Sequence, residues 1–192
     1  MMSLTAVYSS ITFYALSVHP AQAFIGLEVS SSAGLGGYVD NSTVAIGQTL
    51  NWTLSISNRM GSAQFVLIIA RLENATLTPP STSSPAATSP EIVTLQRIVG
   101  DSEVANVSFT WTLDSLNQTS SGVFYPNLTV IGQSTQSSVG AIGGENFRWI
   151  FELWTYDLTC GVPLSNGCFH YGYGSQTSPE GVWLQVWFNA KA

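Results

Sequence analysis

Alternating apolar and polar positions predict a chain built from β-strands. In "NVSFTWTL", residues 106–113, one side of an extended chain carries only apolar residues: Val107, Phe109, Trp111 and Leu113. This period of two is typical of a half-buried strand. "NWTLSIS", residues 51–57, alternates in the same way, whereas "QFVLIIARL", residues 64–72, is apolar on both faces. The latter pattern predicts a strand that is covered on both sides.

Nine stretches are predicted to be extended, and none is predicted to be helical. They are residues 24–29, 39–46, 51–57, 64–72, 91–99, 106–113, 127–131, 147–158 and 182–190. No long stretch combines apolar residues at helical spacing with capping residues. Many short strands separated by Gly, Pro, Asn and Ser predict an all-β fold, an antiparallel β-sandwich of the Ig-like or jelly-roll-like kind.

The length of 192 residues predicts one folded domain behind an export signal. Residues 1–23 are uncharged and end in Ala21-Gln22-Ala23, which indicates a signal peptide cut before Phe24. A retained segment and a membrane anchor are the alternatives. Residues 24–37 are then an N-terminal strand with a Ser/Gly tether, and residues 38–192 a single β-sandwich domain. Within it, "TPPSTSSPAATSP", residues 78–90, is predicted to be an exposed loop open to O-glycosylation.

The scarcity of charge excludes several classes of partner. Only 8% of residues are charged, against roughly 25% in ordinary soluble proteins. A net charge of −6 with five basic residues argues against nucleic acid, which requires a Lys/Arg footprint. The same balance argues against an anionic membrane surface for the mature chain. Hydroxyl side chains and attached sugar are therefore expected to keep the surface soluble.

N-linked sugar is predicted from the number and the positions of acceptor triplets. Asn-x-Ser/Thr occurs six times, whereas ten asparagines in a chain of this composition would give about two by chance. Three of the six asparagines begin or enter a predicted strand on its polar side, and three lie in turn-like sequence. They are Asn41, Asn51, Asn74, Asn106, Asn117 and Asn127. Polar strand-edge residues without sugar are the plainer alternative.

The two cysteines are predicted to form a disulfide. Cys160 and Cys168 flank a turn-rich segment containing Gly, Pro and Asn, and an exported chain favours oxidation. The bond would be worth about 2–3 kcal/mol by loop-closure reasoning; two free buried thiols are the alternative. Metal binding is not predicted, because His170 is the one imidazole nearby and a structural zinc site needs four ligands. No cofactor is predicted either.

Candidate catalytic residues do not form a recognisable motif, and we predict that the protein is not an enzyme. His170 and Asp157 could join a serine, but no Gly-x-Ser-x-Gly sequence is present. Three carboxylates, Glu145, Glu152 and Glu180, lie among aromatic residues that could cradle a sugar. The aromatic residues are equally expected in a sandwich core. Glu152 is predicted to pair there with Arg148. Glycoside hydrolase and carbohydrate-binding module are the alternatives.

The N-terminal strand suggests a mode of assembly. Its apolar residues, Phe24, Ile25, Leu27 and Val29, precede the flexible tether "SSSAGLGG". The strand either folds back on its own domain or completes the sheet of a neighbouring copy. Repeated head to tail, the second contact does not close and generates a filament.

This layout resembles archaeal extracellular filament subunits of the thread type. The shared features are an export signal, an apolar N-terminal strand with a Ser/Gly tether, clustered sequons and an aromatic C-terminal strand. The resemblance implies that Phe24–Val29 is donated to the next subunit and that the six asparagines carry N-linked glycans. It implies a structural subunit of a cell-surface filament that serves adhesion or cell–cell contact. A monomeric secreted or surface-layer-associated glycoprotein is the alternative.

Overall fold

The computed structural model describes residues 23–32, 43–86, 89–160, 166–175 and 178–191. These ranges contain fourteen strands: β1 (Phe24–Ser31), β2 (Thr43–Ala45), β3 (Thr49–Arg59), β4 (Gln64–Asn74), β5 (Glu91–Val99), β6 (Val104–Gln118), β7 (Val123–Val130), β8 (Gln133–Gln136), β9 (Ala141–Ile142), β10 (Phe147–Tyr156), β11 (Phe169–Tyr171), β12 (Tyr173–Ser175), β13 (Ser178–Glu180) and β14 (Val182–Lys191). A 3₁₀ turn covers Asn166–Cys168. Residues 1–22 of the predicted signal and Asn41 lie outside the described residues.

The strands form two facing sheets and a small hairpin. The first sheet has the order β1-β3-β6-β7-β8, with β9 also pairing with β7; the second has the order β2-β14-β10-β4-β5, with β11 pairing with β10. Strands β12 and β13 form the hairpin. Within the described residues, the pairing between named strands is antiparallel except between β2 and β14. The predicted all-β antiparallel sandwich is confirmed. No described helix is long and apolar enough to cross a membrane.

Aromatic side chains from both sheets fill the space between them. Trp52 from β3 and Phe109 and Trp111 from β6 face Trp149 and Phe151 from β10, and all five are buried. Their rings meet mostly edge to face, for example Phe109 against Phe151 at 4.8 Å between centroids. Such pairs contribute about 0.5–1.5 kcal/mol beyond their buried area. The apolar side of "NVSFTWTL" therefore faces the core, as predicted.

The strand boundaries around β7 differ from the sequence prediction. Pro126 lies inside this strand, opposite Leu116 of β6. On its other side neither β8 nor β9 pairs with it, and proline is tolerated where one side of a strand is open. Ile131 and Gly132 form the two-residue turn to β8, with φ of 50° and 76°. Hairpin turns of this kind usually carry Asn-Gly. Because Ile131 is a typical strand residue, the sequence predicts strand at this position instead of a turn, and it does not predict β8.

The Pro/Ser/Thr loop packs on the outer face of the second sheet. Ser81–Ser84 are exposed, as predicted. Pro80, Ala86 and Ser89 are buried instead. The expectation of a fully exposed loop is therefore wrong for these three residues, because the sheet beneath offers charged hydrogen-bonding partners that the composition of the loop does not reveal.

Candidate functional site

Strand β1 lies at the edge of the first sheet and pairs with β3 of the same chain. The register runs from Phe24 opposite Arg59 to Ser31 opposite Trp52. Ile25 and Val29 are buried in the core and Leu27 packs against it. Phe24 is 43% exposed, so it does not face inward with the other three. Adjacent residues of a strand point to opposite faces, which is why Phe24 and Ile25 cannot both enter the core.

The outer face of the first sheet is a ladder of uncharged polar side chains. Thr49 hydrogen-bonds to Thr112, the Asn51 Oδ1 accepts from Thr110, and the Asn106 Oδ1 accepts from Ser55, each at 2.8 Å. We call these outward side chains of β3 and β6 the sequon face. The carboxamide oxygens of Asn51 and Asn106 are engaged in these bonds. Their amide nitrogens, the atoms that N-glycosylation would modify, take no part in these bonds.

Two other sequon asparagines are half-buried and use their amide nitrogens within the fold. The Nδ2 of Asn74 donates to the Gly140 carbonyl at 2.7 Å. The Nδ2 of Asn127 donates to the Ser115 hydroxyl at 2.6 Å. Asn117, near the end of β6, is exposed. The five described sequons therefore differ in how freely their nitrogens can be modified.

Cys160 and Cys168 form a disulfide, as the sequence predicts, with their Cα atoms 5.6 Å apart. The segment that leads into Cys160 is fixed by Asp157, whose Oδ1 accepts hydrogen bonds from the Thr159 hydroxyl and backbone N–H. These two bonds lower the pKa of Asp157. The carboxylate thus orients the turn that leads into the disulfide.

A cluster of four buried charges lies on the outer face of the second sheet. It consists of Arg71, Glu73, Arg148 and Glu152, and we call it the charge cluster. Each of the four is at most 8% exposed. Arg148 pairs with Glu73 at 2.6 Å between Nη2 and Oε2, and Arg71 pairs with Glu152 at 3.1 Å between Nε and Oε2.

The predicted pairing of Glu152 with Arg148 is therefore wrong. These residues lie four positions apart on β10, which separates them by about 13 Å along the strand. In the register of β4 against β10, Glu73 lies directly opposite Arg148, and Arg71 lies diagonally across from Glu152. Cross-strand neighbours are close enough for ion pairs. Sequence reasoning missed Arg71 and Glu73, although both charges stand out at the end of the otherwise apolar "QFVLIIARLEN".

The buried part of the Pro/Ser/Thr loop supplies further partners of the charge cluster. The Ala86 N–H donates to Glu152, the Ser89 hydroxyl donates to Glu73, and Arg71 donates to the Ser89 carbonyl. Tyr171 donates its hydroxyl to the Ser81 carbonyl at 2.9 Å. Burial, and then the Glu152 charge, raise the pKa of Tyr171. The loop thus closes the cluster from water, and the carboxylates hold the loop in place.

His170, the histidine considered for a catalytic triad, contacts a threonine whose hydroxyl group is hydrogen-bonded within the fold. His170 lies 3.2 Å from the Thr155 hydroxyl, measured from Nε2 to Oγ1. That hydroxyl donates its proton to the Gly172 carbonyl at 2.7 Å. The Thr155 hydroxyl is thus engaged within the fold, whereas the nucleophile of a triad must pass its proton to the imidazole.

The three candidate carboxylates of a sugar-cleaving site lie in different surroundings. Glu145 lines a cavity of about 330 Å³ beside Asn74. Glu180 lines a cleft of about 610 Å³ with Tyr173 and Trp183. Glu152 lines neither and is held in the charge cluster. Two carboxylates flanking one bond are what glycoside hydrolysis requires, and neither cavity brings two of these three together.

Metal ligands do not gather in the described ranges, where no group of three or more His, Cys, Asp or Glu side chains could hold an ion.

Comparisons with known proteins assign no family. No family model and no curated protein matches the chain. Among solved structures, it is similar to an alkylpurine DNA glycosylase from Pseudomonas fluorescens bound to DNA containing an abasic site analog, with 10% sequence identity and a TM-score of 0.31. The match covers 62% of this chain and 31% of that one. A TM-score this low carries no inference about fold or function.

Proposed function

We propose that the protein is a structural subunit of an extracellular, cell-surface filament that polymerises when β1 of one copy enters the sheet of the next. The observation that supports the proposal is the position of β1 at the edge of the first sheet. Among the described strands, β3 is the one that β1 hydrogen-bonds to in the sheet. The same eight-residue register is open to β1 of another copy, as in strand addition and domain swapping.

The energetics favour a long-lived contact once a strand is seated. Ile25, Leu27 and Val29 contribute about 1.5–3 kcal/mol each when fully buried, before ordering costs. Exchange between copies conserves these contacts, so the balance between the closed chain and the filament depends on the tether and on concentration. Ser30 and Ser31 of the predicted Ser/Gly tether belong to β1, and its residues 33–37 lie outside the described residues.

A second candidate function has its own supporting observation. In a single chain, β1 fills the edge of its own sheet along all eight residues. This arrangement favours a monomeric secreted or surface-layer-associated glycoprotein. Both candidates are non-enzymatic and extracellular, and both agree with a charge-poor, disulfide-bonded β-sandwich. They differ in whether β1 crosses between copies.

Disulfide trapping between copies separates the two candidates. A Cβ built on Gly26 lies 3.9 Å from the Cβ of Ser57, which is within the range of a disulfide. We therefore expect co-expressed G26C and S57C single variants to form a disulfide-linked dimer if β1 is exchanged. Non-reducing electrophoresis of surface material detects it. The described native cysteines are already paired.

The control is a pair of cross-strand neighbours that both lie within the domain, so that exchange of β1 does not bring them together between copies. Thr49 lies opposite Thr112 within the domain, on β3 and β6, and neither residue belongs to a sequon, so co-expressed T49C and T112C should remain unlinked between copies. The G26C/S57C double variant reports the closed arrangement. If the double variant forms a disulfide within one chain and the two single variants form no dimer, the result would contradict the filament and support the monomer.

Glycosylation of the sequon face is part of the proposal, and site occupancy is a separate prediction. We expect sugar at Asn51, Asn106 and Asn117 in most copies and much lower occupancy at Asn127, because the Asn127 nitrogen is held by Ser115. Glycopeptide mass spectrometry of the native protein measures each site, and N106Q provides the loss-of-signal control. Unmodified asparagine at all three exposed positions would refute the sugar coat.

A further inference from the structure

The outer face of β14 presents two tryptophans, the half-buried Trp183 and the exposed Trp187. Val186 and Phe188 point into the core, so the alternate residues Trp183, Gln185 and Trp187 face outward. Four residues of strand separate the two tryptophans by about 13 Å. A partly exposed aromatic strip of this kind is unusual for a surface that serves only solubility.

Trp187 is fixed in position and accessible. It is 39% exposed. The Arg148 guanidinium lies 5.0 Å from the ring centroid, and Arg148 also donates to the Gln185 carboxamide oxygen at 3.3 Å. Because Arg148 is anchored by Glu73, the indole is held by a buried group. Such pre-organisation lowers the entropic cost of binding a ligand.

Trp183 connects this strip to the cleft that Glu180 lines. The cleft, of about 610 Å³, lies between the start of β1 and the β12–β13 hairpin, and Tyr173 and Phe24 contribute to its walls. Tyr173 is hydrogen-bonded to Glu180, and this bond raises the pKa of Tyr173. The carboxylate thus stands beside aromatic surface, where it can accept hydrogen bonds from a ligand.

The charges along this surface exclude anionic ligands. Within the described residues that line the cleft, Glu180 is the one that carries a charge at neutral pH. The Arg148 beside Trp187 is already paired with Glu73. Phosphates, sulfates and uronic acids therefore find no free cation. Neutral hydroxyl groups, in contrast, can donate to Glu180 and bond to the Gln185 amide.

We infer that the strip Trp183–Gln185–Trp187 and the adjoining cleft bind a neutral oligosaccharide chain. Pyranose rings present apolar C–H faces to the indoles and hydroxyl groups to Glu180 and Gln185, which is the mixture of apolar walls and few polar groups typical of ligand sites. The strip is long enough for an oligosaccharide. The inference does not depend on filament formation, since the cleft is complete whether β1 comes from the same copy or from a neighbour.

Binding of defined sugars tests the inference. The full chain is titrated with hexaoses of glucose, mannose and N-acetylglucosamine, followed by tryptophan fluorescence and calorimetry. We expect at least one to bind at micromolar to millimolar concentration, and W187A and W183A to weaken it about three- to tenfold each, the size of an aromatic contact. E180Q should weaken binding without changing the fold, and W187F should retain most of it.

Matched controls distinguish a loss of binding from a loss of folding, and specific binding from nonspecific adsorption to apolar surface. Leu158 is 82% exposed and lies beyond the end of β10, six residues past Glu152, the partner of Trp183, so L158A should leave the affinity unchanged. Circular dichroism confirms that each variant is folded. Failure of all three hexaoses to bind, equal affinity of W187A and wild type, or equally tight binding of a hyaluronan hexamer would overturn the inference.

Discussion

Replacement of Glu152 by alanine is expected to lower the free energy of unfolding by about 3–5 kcal/mol. The change leaves Arg71 buried without its Nε partner, and removing one member of a buried ion pair costs about this much. It also removes the acceptor of the Ala86 N–H, and an unsatisfied buried donor is costly in itself. Since domains are stable by about 5–15 kcal/mol, the loss is a large fraction. Urea denaturation with a linear extrapolation measures it.

Glu91 provides a control on the same arginine. It contacts Arg71 at 3.3 Å with a side chain that is 54% exposed, and exposed ion pairs contribute about 0–1 kcal/mol. E91A should therefore lie close to wild type. The paired replacement R71M/E152L should be less destabilised than E152A, because no uncompensated charge remains. If E152A were as stable as E91A, the charge cluster would not be holding the loop.

The strands were predictable from sequence to the extent that their side chains alternate. In β6, one face packs on the core and the other faces solvent. The alternation of apolar and polar residues in 106–113 therefore follows directly from which side chains are buried. Strand β5, Glu91–Val99, was predicted with its observed bounds. Strands β8 and β9, in contrast, are short: β8 consists of four polar, mostly exposed residues, and β9 has only two residues, Ala141 and Ile142. Nothing in such residues distinguishes a strand from a loop.

The partners within the site were not predictable because they depend on register. The sequence places Arg148 and Glu152 on one face of β10, but only the alignment of β4 beside it shows that Glu73 is opposite Arg148. Composition also predicted that the uncharged Pro/Ser/Thr segment is exposed. Its backbone and hydroxyl groups nevertheless satisfy two carboxylates and an arginine, which is a property of spatial pairing.

Replacement of Trp149 by alanine is expected to destabilise the domain about as strongly as E152A, by roughly 3–5 kcal/mol, through an unrelated mechanism. Trp149 is fully buried and lies at 5.2 Å from Phe109 and 5.5 Å from Trp111 between ring centroids. Alanine would leave a cavity between the two sheets that the surrounding aromatic rings are too rigid to fill. Urea denaturation and near-ultraviolet circular dichroism measure the loss of stability and of aromatic packing.

Phenylalanine at position 149 distinguishes packing from polarity. The Trp149 Nε1 is buried without a hydrogen-bond partner, so W149F removes an unsatisfied donor while it keeps most of the ring, and we expect a cost of about 1 kcal/mol. W187A, on the exposed face, should cost less than W149A because it opens no cavity. A W149A variant as stable as W149F would mean that the sheets close over the gap. The aromatic layer would then not be what holds the two sheets together.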